Sequence, residues 1–224
     1  MKKIKTVIIG ITVLMLQFSN GIFAQSNSDG STPQFLFPEF IQGVVKMTNG
    51  LTQKILLNYN TVTEKMVYQQ NEKVYDMINT EKIDTVFIYE SKFVPSGKLF
   101  YEVLLAAPVS LFIQHKGSIV PPGKPAAYGG TSQVSSSNYQ SGVQLPSGYY
   151  NLALPANYQV KMDPVFWIRK DNNMHDFINE KQFLKIFPER EAELKAYIKK
   201  YHVKFSRIPD VIRLAEYLND GGRK

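Results

Sequence analysis

The chain has 224 residues, carries 26 lysines and arginines against 19 aspartates and glutamates for a net charge of +7, and contains no cysteine. Thiol catalysis, cysteine-ligated zinc, disulfides and a lipid-modified N-terminal cysteine are thereby excluded, and the basic residues form no dense patch suited to nucleic acid. The length is enough for one domain with a hydrophobic core that needs no covalent staple.

Lys2, Lys3 and Lys5 precede an apolar run from Val7 to Phe18, which Ser19, Asn20 and Gly21 break before Ile22-Phe23-Ala24 ends on a small residue. A cationic start, an apolar stretch and a small residue at the cut are the parts of a secretory signal. The run falls short of the roughly 20 residues that span a bilayer. We therefore expect residues 1–24 to be a signal peptide cleaved near Ala24, with the mature chain exported to the periplasm or the cell surface. Cleavage would take three of the 26 basic residues, leaving 23 against 19 acids and a net of +4. Such a soft positive field favours anionic envelope surfaces. No later apolar run reaches spanning length, so no transmembrane segment is expected in the mature chain.

Residues 25–34 (QSNSDGSTPQ) are small, polar and turn-forming, which predicts a disordered tether. A single domain is expected over residues 35–224. Phe35, Phe37 and Phe40 begin it as an aromatic cluster suited to tucking under a sheet. From Gly43 the apolar period is two. Asn49-Gly50 marks a tight hairpin, and the return strand puts Leu51, Gln53, Ile55, Leu57 and Tyr59 on one face. Val62 to Gln69 and Lys73 to Ile78 read as two further strands, completing a four-stranded meander. Thr85 to Glu90 predicts a core strand, and Phe93 to Gly97, with its Pro-Ser-Gly, a turn. Leu99 to Leu105 and Val109 to His115 predict an apolar hairpin covered on both faces.

Residues 121–148 are rich in Gly, Ser and Pro with Lys124 as their one charge. They predict a long flexible loop, which in a compact domain is either functional or disordered. Tyr149 to Leu154 and Val165 to Arg169 resume strand character, and Asp171 to Asn173 turn the chain. The period then becomes helical. Asn179 with Gln182 resembles a capping box, and Phe183, Leu184 and Phe187 share a face. Glu189 to Tyr201 carries acids first and lysines last, as the helix dipole favours, with Leu194, Tyr197, Ile198 and Tyr201 on one stripe. Pro209 to Leu218 repeats the pattern with Ile208, Val211, Ile212, Ala215 and Leu218 before Gly221-Gly222. Strands followed by helices predict an α+β fold: an antiparallel sheet, as a roll or two-layer sandwich, closed by two or three C-terminal helices.

The hairpin at Gly43, Val45, Asn49 and Gly50, the LLNYN of Leu56 to Asn60, the KFVPSGKLFYEVLL of Lys92 to Leu105 and the stretch from Phe183 to Asn219 together resemble a group of small exported proteins of Bacteroidota without a known activity. The resemblance covers most of residues 40–219. It implies the envelope address and the strands-then-helices order, and brings no catalytic residue, ligand or cofactor.

Chemistry is sparse. His115, His175 and His202 have no metal-ligand spacing, and no H-E-x-x-H, G-x-S-x-G or phosphate loop occurs. Neither a metal nor another cofactor is therefore expected. Glu90 and Glu102 lie in or beside apolar strands, where burial would raise a carboxyl pKa, and Asp163, Asp171 and Asp176 lie near Trp167. Paired carboxylates of this kind could serve glycoside hydrolysis. The expected ligand-binding residues are aromatic: Tyr128 and Tyr139 in the long loop, and Tyr149, Tyr150 and Trp167, where adjacent strand residues face opposite ways. The leading expectation is a non-catalytic envelope protein that binds a partner protein or glycan. A hydrolase of envelope carbohydrate and an accessory subunit of an outer-membrane assembly are the alternatives.

Overall fold

The computed structural model describes residues 33–120 and 158–221, together with the backbone of two short strands between them. All of these belong to one compact unit, Thr32–Lys224. The predicted tyrosines Tyr128, Tyr139, Tyr149 and Tyr150, the proposed signal and nearly all of the tether lie outside the described residues.

The strands are β1 (Ile41–Met47), β2 (Thr52–Asn60), β3 (Lys65–Gln70), β4 (Lys73–Asp76), β5 (Ile83–Ile88), β6 (Ser91–Ser96), β7 (Leu99–Leu105), β8 (Ser110–Gln114), β9 (Gly117–Val120), β10 (Lys124–Pro125), β11 (Thr131–Ser132), β12 (Gln159–Met162), β13 (Val165–Lys170) and β14 (Asn173–Phe177). Helices α1 (Glu180–Ile186), α2 (Glu191–Tyr201) and α3 (Ile208–Asn219) follow. One antiparallel sheet of ten strands runs in the order β14-β13-β8-β7-β6-β5-β1-β2-β3-β4, and β9 pairs with β12 and β10 with β11 as separate ribbons. The architecture is thus the expected α+β, with the sheet first and the helices last.

The register explains where the core sits. Val45, Val86, Phe93, Glu102, Ile113, Phe166 and Phe177 stand directly opposite one another in sequence across seven strands. Residues opposed in this way share a face, so this row marks the inner face, and its one charge is Glu102. At one end of that face Leu111, Ile113, Phe166, Ile168 and Phe177 are covered by the buried faces of α1, α2 and α3. At the other end Leu57, Tyr59, Met66, Val86 and Phe93 form a second cluster, against which Leu36 and Phe37 pack. The sheet curls between them: the Tyr59 hydroxyl donates to the Phe100 carbonyl at 3.4 Å, and Gly117 N–H donates to the Thr61 carbonyl at 2.9 Å.

Three local expectations change. Residues Phe93 to Ser96 are strand, not turn; the two-residue turn lies at Gly97 and Lys98 between β6 and β7. Pro95 is tolerated because β5 pairs with β6 only from Ser91 to Phe93, so no ladder bond is asked of its missing N–H. Strand β14 follows the Asp171-Asn172 turn where no strand was expected; its first four residues are exposed and polar or flexible, so they carry no apolar alternation. The second helix, expected from Glu189, starts later than its acids suggest, because Pro188–Arg190 forms a separate 3-10 turn ahead of α2. The cap of α1 matches expectation. Asn179 Oδ1 accepts from Gln182 N–H at 3.0 Å, while Gln182 Oε1 accepts from Ile178 N–H at 2.8 Å.

Candidate functional site

An open cleft of about 300 Å³ lies where the inner face runs out beyond the second cluster. Its floor comes from Val45 and Met47 of β1, Ile55 of β2 and Tyr68 of β3, placed inward by the same period-two alternation that builds the core. Its lip is the connection from β4 to β5, which supplies Met77, Ile78, Asn79 and Lys82, with Ile83 at the start of β5. That connection is held open by its own bonds. Asn79 takes a left-handed φ of 55°, Thr80 Oγ1 donates to the Gly97 carbonyl at 2.5 Å, and Thr48 N–H donates to the Lys82 carbonyl at 2.9 Å. Ile78 stands 66% exposed at the lip. Gln53 and Gln70 complete the rim, and Lys82 is the single charged residue of the lining. No aspartate, glutamate, serine, threonine or histidine is among the lining residues, and an apolar floor with a few polar groups at its edge is the usual form of a ligand pocket.

The charge within the core row is bonded on both sides. Ser91 Oγ donates to Glu102 Oε1 at 2.6 Å, and His115 Nε2 stands 2.5 Å from Glu102 Oε2, where an ionised carboxylate can only accept. The His115 ring lies edge-on to Tyr59 and tilted to Phe93, at centroid separations of 5.9 and 6.3 Å. Burial raises the Glu102 pKa, yet the bonds from His115 and Ser91 outweigh it and hold the carboxyl below its ordinary value. Glutamate is thus the middle member of this string, bonded to the serine hydroxyl on one oxygen and to the histidine ring on the other. The group is a structural clasp across β6, β7 and β8. Since its folded pKa lies below the unfolded one, the clasp stabilises the fold above the unfolded range and loses that contribution as pH falls through the folded pKa. Glu102→Gln is expected to cost about 2 kcal/mol at pH 7 and much less at pH 3, as read by urea unfolding at each pH. An equal loss at both values would mean that the ionised form carries no special weight.

Trp167 is half-buried on the opposite face. Its ring meets Tyr101 edge-on at 5.5 Å, and its indole N–H donates to Gln114 Oε1 at 2.8 Å. Gln114 Nε2 in turn donates to Glu64, which also pairs with Lys116 at 3.3 Å. Asp176 stands opposite Trp167 on β14 and is exposed, whereas Asp163 is occupied by Lys161 and Ser118 and Asp171 sits in a turn. Glu90 is exposed in the β5–β6 turn. The acids singled out for glycoside hydrolysis are therefore dispersed over different elements. His175 is exposed on β14 and His202 caps α2 in a left-handed conformation.

Two features escape sequence reasoning. The cleft depends on the connection from β4 to β5 folding back over β1, β2 and β3, which no local pattern announces. The asparagines of LLNYN are the other. Asn58 is fully buried and binds the aromatic N-terminal segment, accepting from Phe37 N–H at 3.1 Å and donating to the carbonyls of Phe37 and Glu39 at 2.9 Å. Asn60 Oδ1 accepts from Val62 and Thr63 N–H and so shapes the next turn. Buried asparagine in an apolar strand is the signal that could have flagged both.

Among the described residues no helix is long and apolar enough to cross a membrane, and no group of three or more histidines and acids could hold a metal ion. The chain matches no protein-family model, and comparison with curated proteins and with solved structures likewise finds no match.

Proposed function

We propose that this chain is an exported, non-catalytic binding protein of the cell envelope, and that it takes its partner through the apolar cleft at the β1–β3 end of the sheet. The observation that carries this reading is the cleft itself: Met47, Ile55, Tyr68 and Met77 are half-buried side chains that border it at the end of the second cluster. The secretory character of residues 1–24 and the resemblance to small exported proteins support the address. Between the two partner classes considered, the lining favours an apolar group over a glycan. A sugar asks for a flat accessible aromatic with hydrogen-bonding groups around it, whereas Tyr68, the aromatic of the cleft, stacks on Tyr75 at 5.4 Å and has isoleucines and methionines for neighbours.

A photoreactive residue placed at Ile78 tests this in intact cells, with Ala196 on the exposed side of α2 as the control position. We expect an adduct on the Ile78 chain, detected as added mass on the recovered protein, that Met77→Arg removes while the circular dichroism stays unchanged. Equal adducts at both positions, or none at Ile78, would overturn the assignment of the cleft. Turnover of a glycosidase or esterase substrate by the purified mature chain, abolished by Glu102→Gln, would instead establish the hydrolase alternative.

A further inference from the structure

Resting on the cleft reading above, we infer that the occupant is a single-chain amphiphile with a carboxylate head, its chain laid along the floor and its head on Lys82. Three observations converge. The lining carries two methionines, Met47 in the floor and Met77 in the lip, whose unbranched, polarizable side chains adapt to a flexible aliphatic chain better than branched residues do. The size is right for one chain. A methylene takes about the room of a water in the liquid, about 30 Å³, so a cleft of about 300 Å³ matches one chain of roughly ten carbons more closely than the paired, longer chains of a membrane lipid. The charge is placed for a head at the mouth. Lys82 is exposed at the lip, is the one charged lining residue, and makes no ion pair among the described residues. Its backbone is fixed by the bonds to Thr48 and Asn79, so the ammonium is tethered beside the opening whether or not a ligand is present. An apolar floor ending at one unpaired cation is complementary to an anionic head on an apolar tail, more than to a neutral head and against a cationic one.

The test is calorimetric titration of the purified mature chain with decanoate, decanol and phosphatidylglycerol vesicles, together with methyl NMR of the methionines. Decanoate is expected to bind and to shift the methyl signals of Met47 and Met77 while leaving that of Met66, which is sealed in the core, in place. Decanol should bind about tenfold more weakly, the worth of one charge-assisted contact. Lys82→Gln should bring decanoate down to the level of decanol, and since Lys82 is exposed the fold should be kept, which circular dichroism checks directly. Equal affinities for decanoate and decanol, or a Lys82→Gln variant with unchanged preference, would overturn the head-group assignment. Preference for the vesicles over decanoate would overturn the single-chain assignment, and shifts at Met66 without shifts at Met47 and Met77 would overturn the location. Failure of all three ligands, with the Ile78 adduct still formed in cells, would sink this ligand class while leaving the cleft as the binding element; loss of both would sink the two readings together.

Discussion

Phe183→Ala is expected to destabilise the protein by about 3–5 kcal/mol, the range for deleting a fully buried phenylalanine. The side chain has no exposed surface, and it is the point at which the helical layer meets the sheet. Its ring lies 5.1 Å from that of Phe177 on β14, 5.5 Å from Phe187 at the end of α1 and 5.7 Å from Phe205 in the link between α2 and α3. Phe177 in turn stacks on Phe166 of β13 at 5.6 Å. Removing Phe183 therefore opens a cavity between three aromatic rings whose backbones belong to different elements, and no single side chain can turn to fill it. Urea unfolding followed by far-ultraviolet circular dichroism measures the loss. A cost below about 1 kcal/mol would show that the helices and the sheet do not unfold together. The same truncation at Ile78, exposed on the lip of the cleft, is expected to leave stability nearly unchanged, which separates a core effect from a binding effect at the other end of the sheet.

What the sequence shows of this fold follows the range of the interactions. The alternation from Leu51 to Tyr59 points Ile55, Leu57 and Tyr59 inward, and the structure keeps them on that face. Asn179, Gln182 and the stripe of α3 are likewise legible, because caps and helical faces are decided within a few residues. Strand β14 is not legible, since an edge strand exposed on its open side has no need of apolar residues. Glu102 is legible as an anomaly, a carboxylate in an apolar strand. Its meaning is not, because Ser91 and His115 reach it only through the register of β6 and β8. The cleft lies furthest from view. Met47, Ile55 and Met77 each read as ordinary core residues, and the path of the connection from β4 to β5 leaves them only half-buried.

Gly43→Ala is expected to cost about 3 kcal/mol, at the upper end of what overpacking a well-filled site exacts. Gly43 lies on the inner face of β1 opposite Ile55, between Ile41 and Val45. A Cβ built there would stand 2.4 Å from the carbonyl oxygen of Phe87 and 2.7 Å from Cδ1 of Leu57. The leucine could turn, but the carbonyl belongs to the backbone of β5, so relief requires β1 and β5 to separate where the sheet curls. A strand glycine that admits a neighbouring backbone is one of the few uses of glycine inside a sheet. Gly50 offers the contrast. No atom lies within 4 Å of a Cβ there, and its constraint is a φ of +86° in the hairpin turn, so Gly50→Ala is expected to cost only about 1 kcal/mol of local strain. The two variants also differ in where the damage goes. Spreading β1 from β5 displaces Val45 and Ile55, which form the floor of the cleft, so Gly43→Ala should weaken binding there even at temperatures where the chain remains folded, whereas Gly50→Ala should not. Thermal unfolding and decanoate titration of the two variants measure both effects, and a Gly43→Ala protein as stable as Gly50→Ala would show that the approach of Phe87 to Gly43 is not what sets the curl of the sheet.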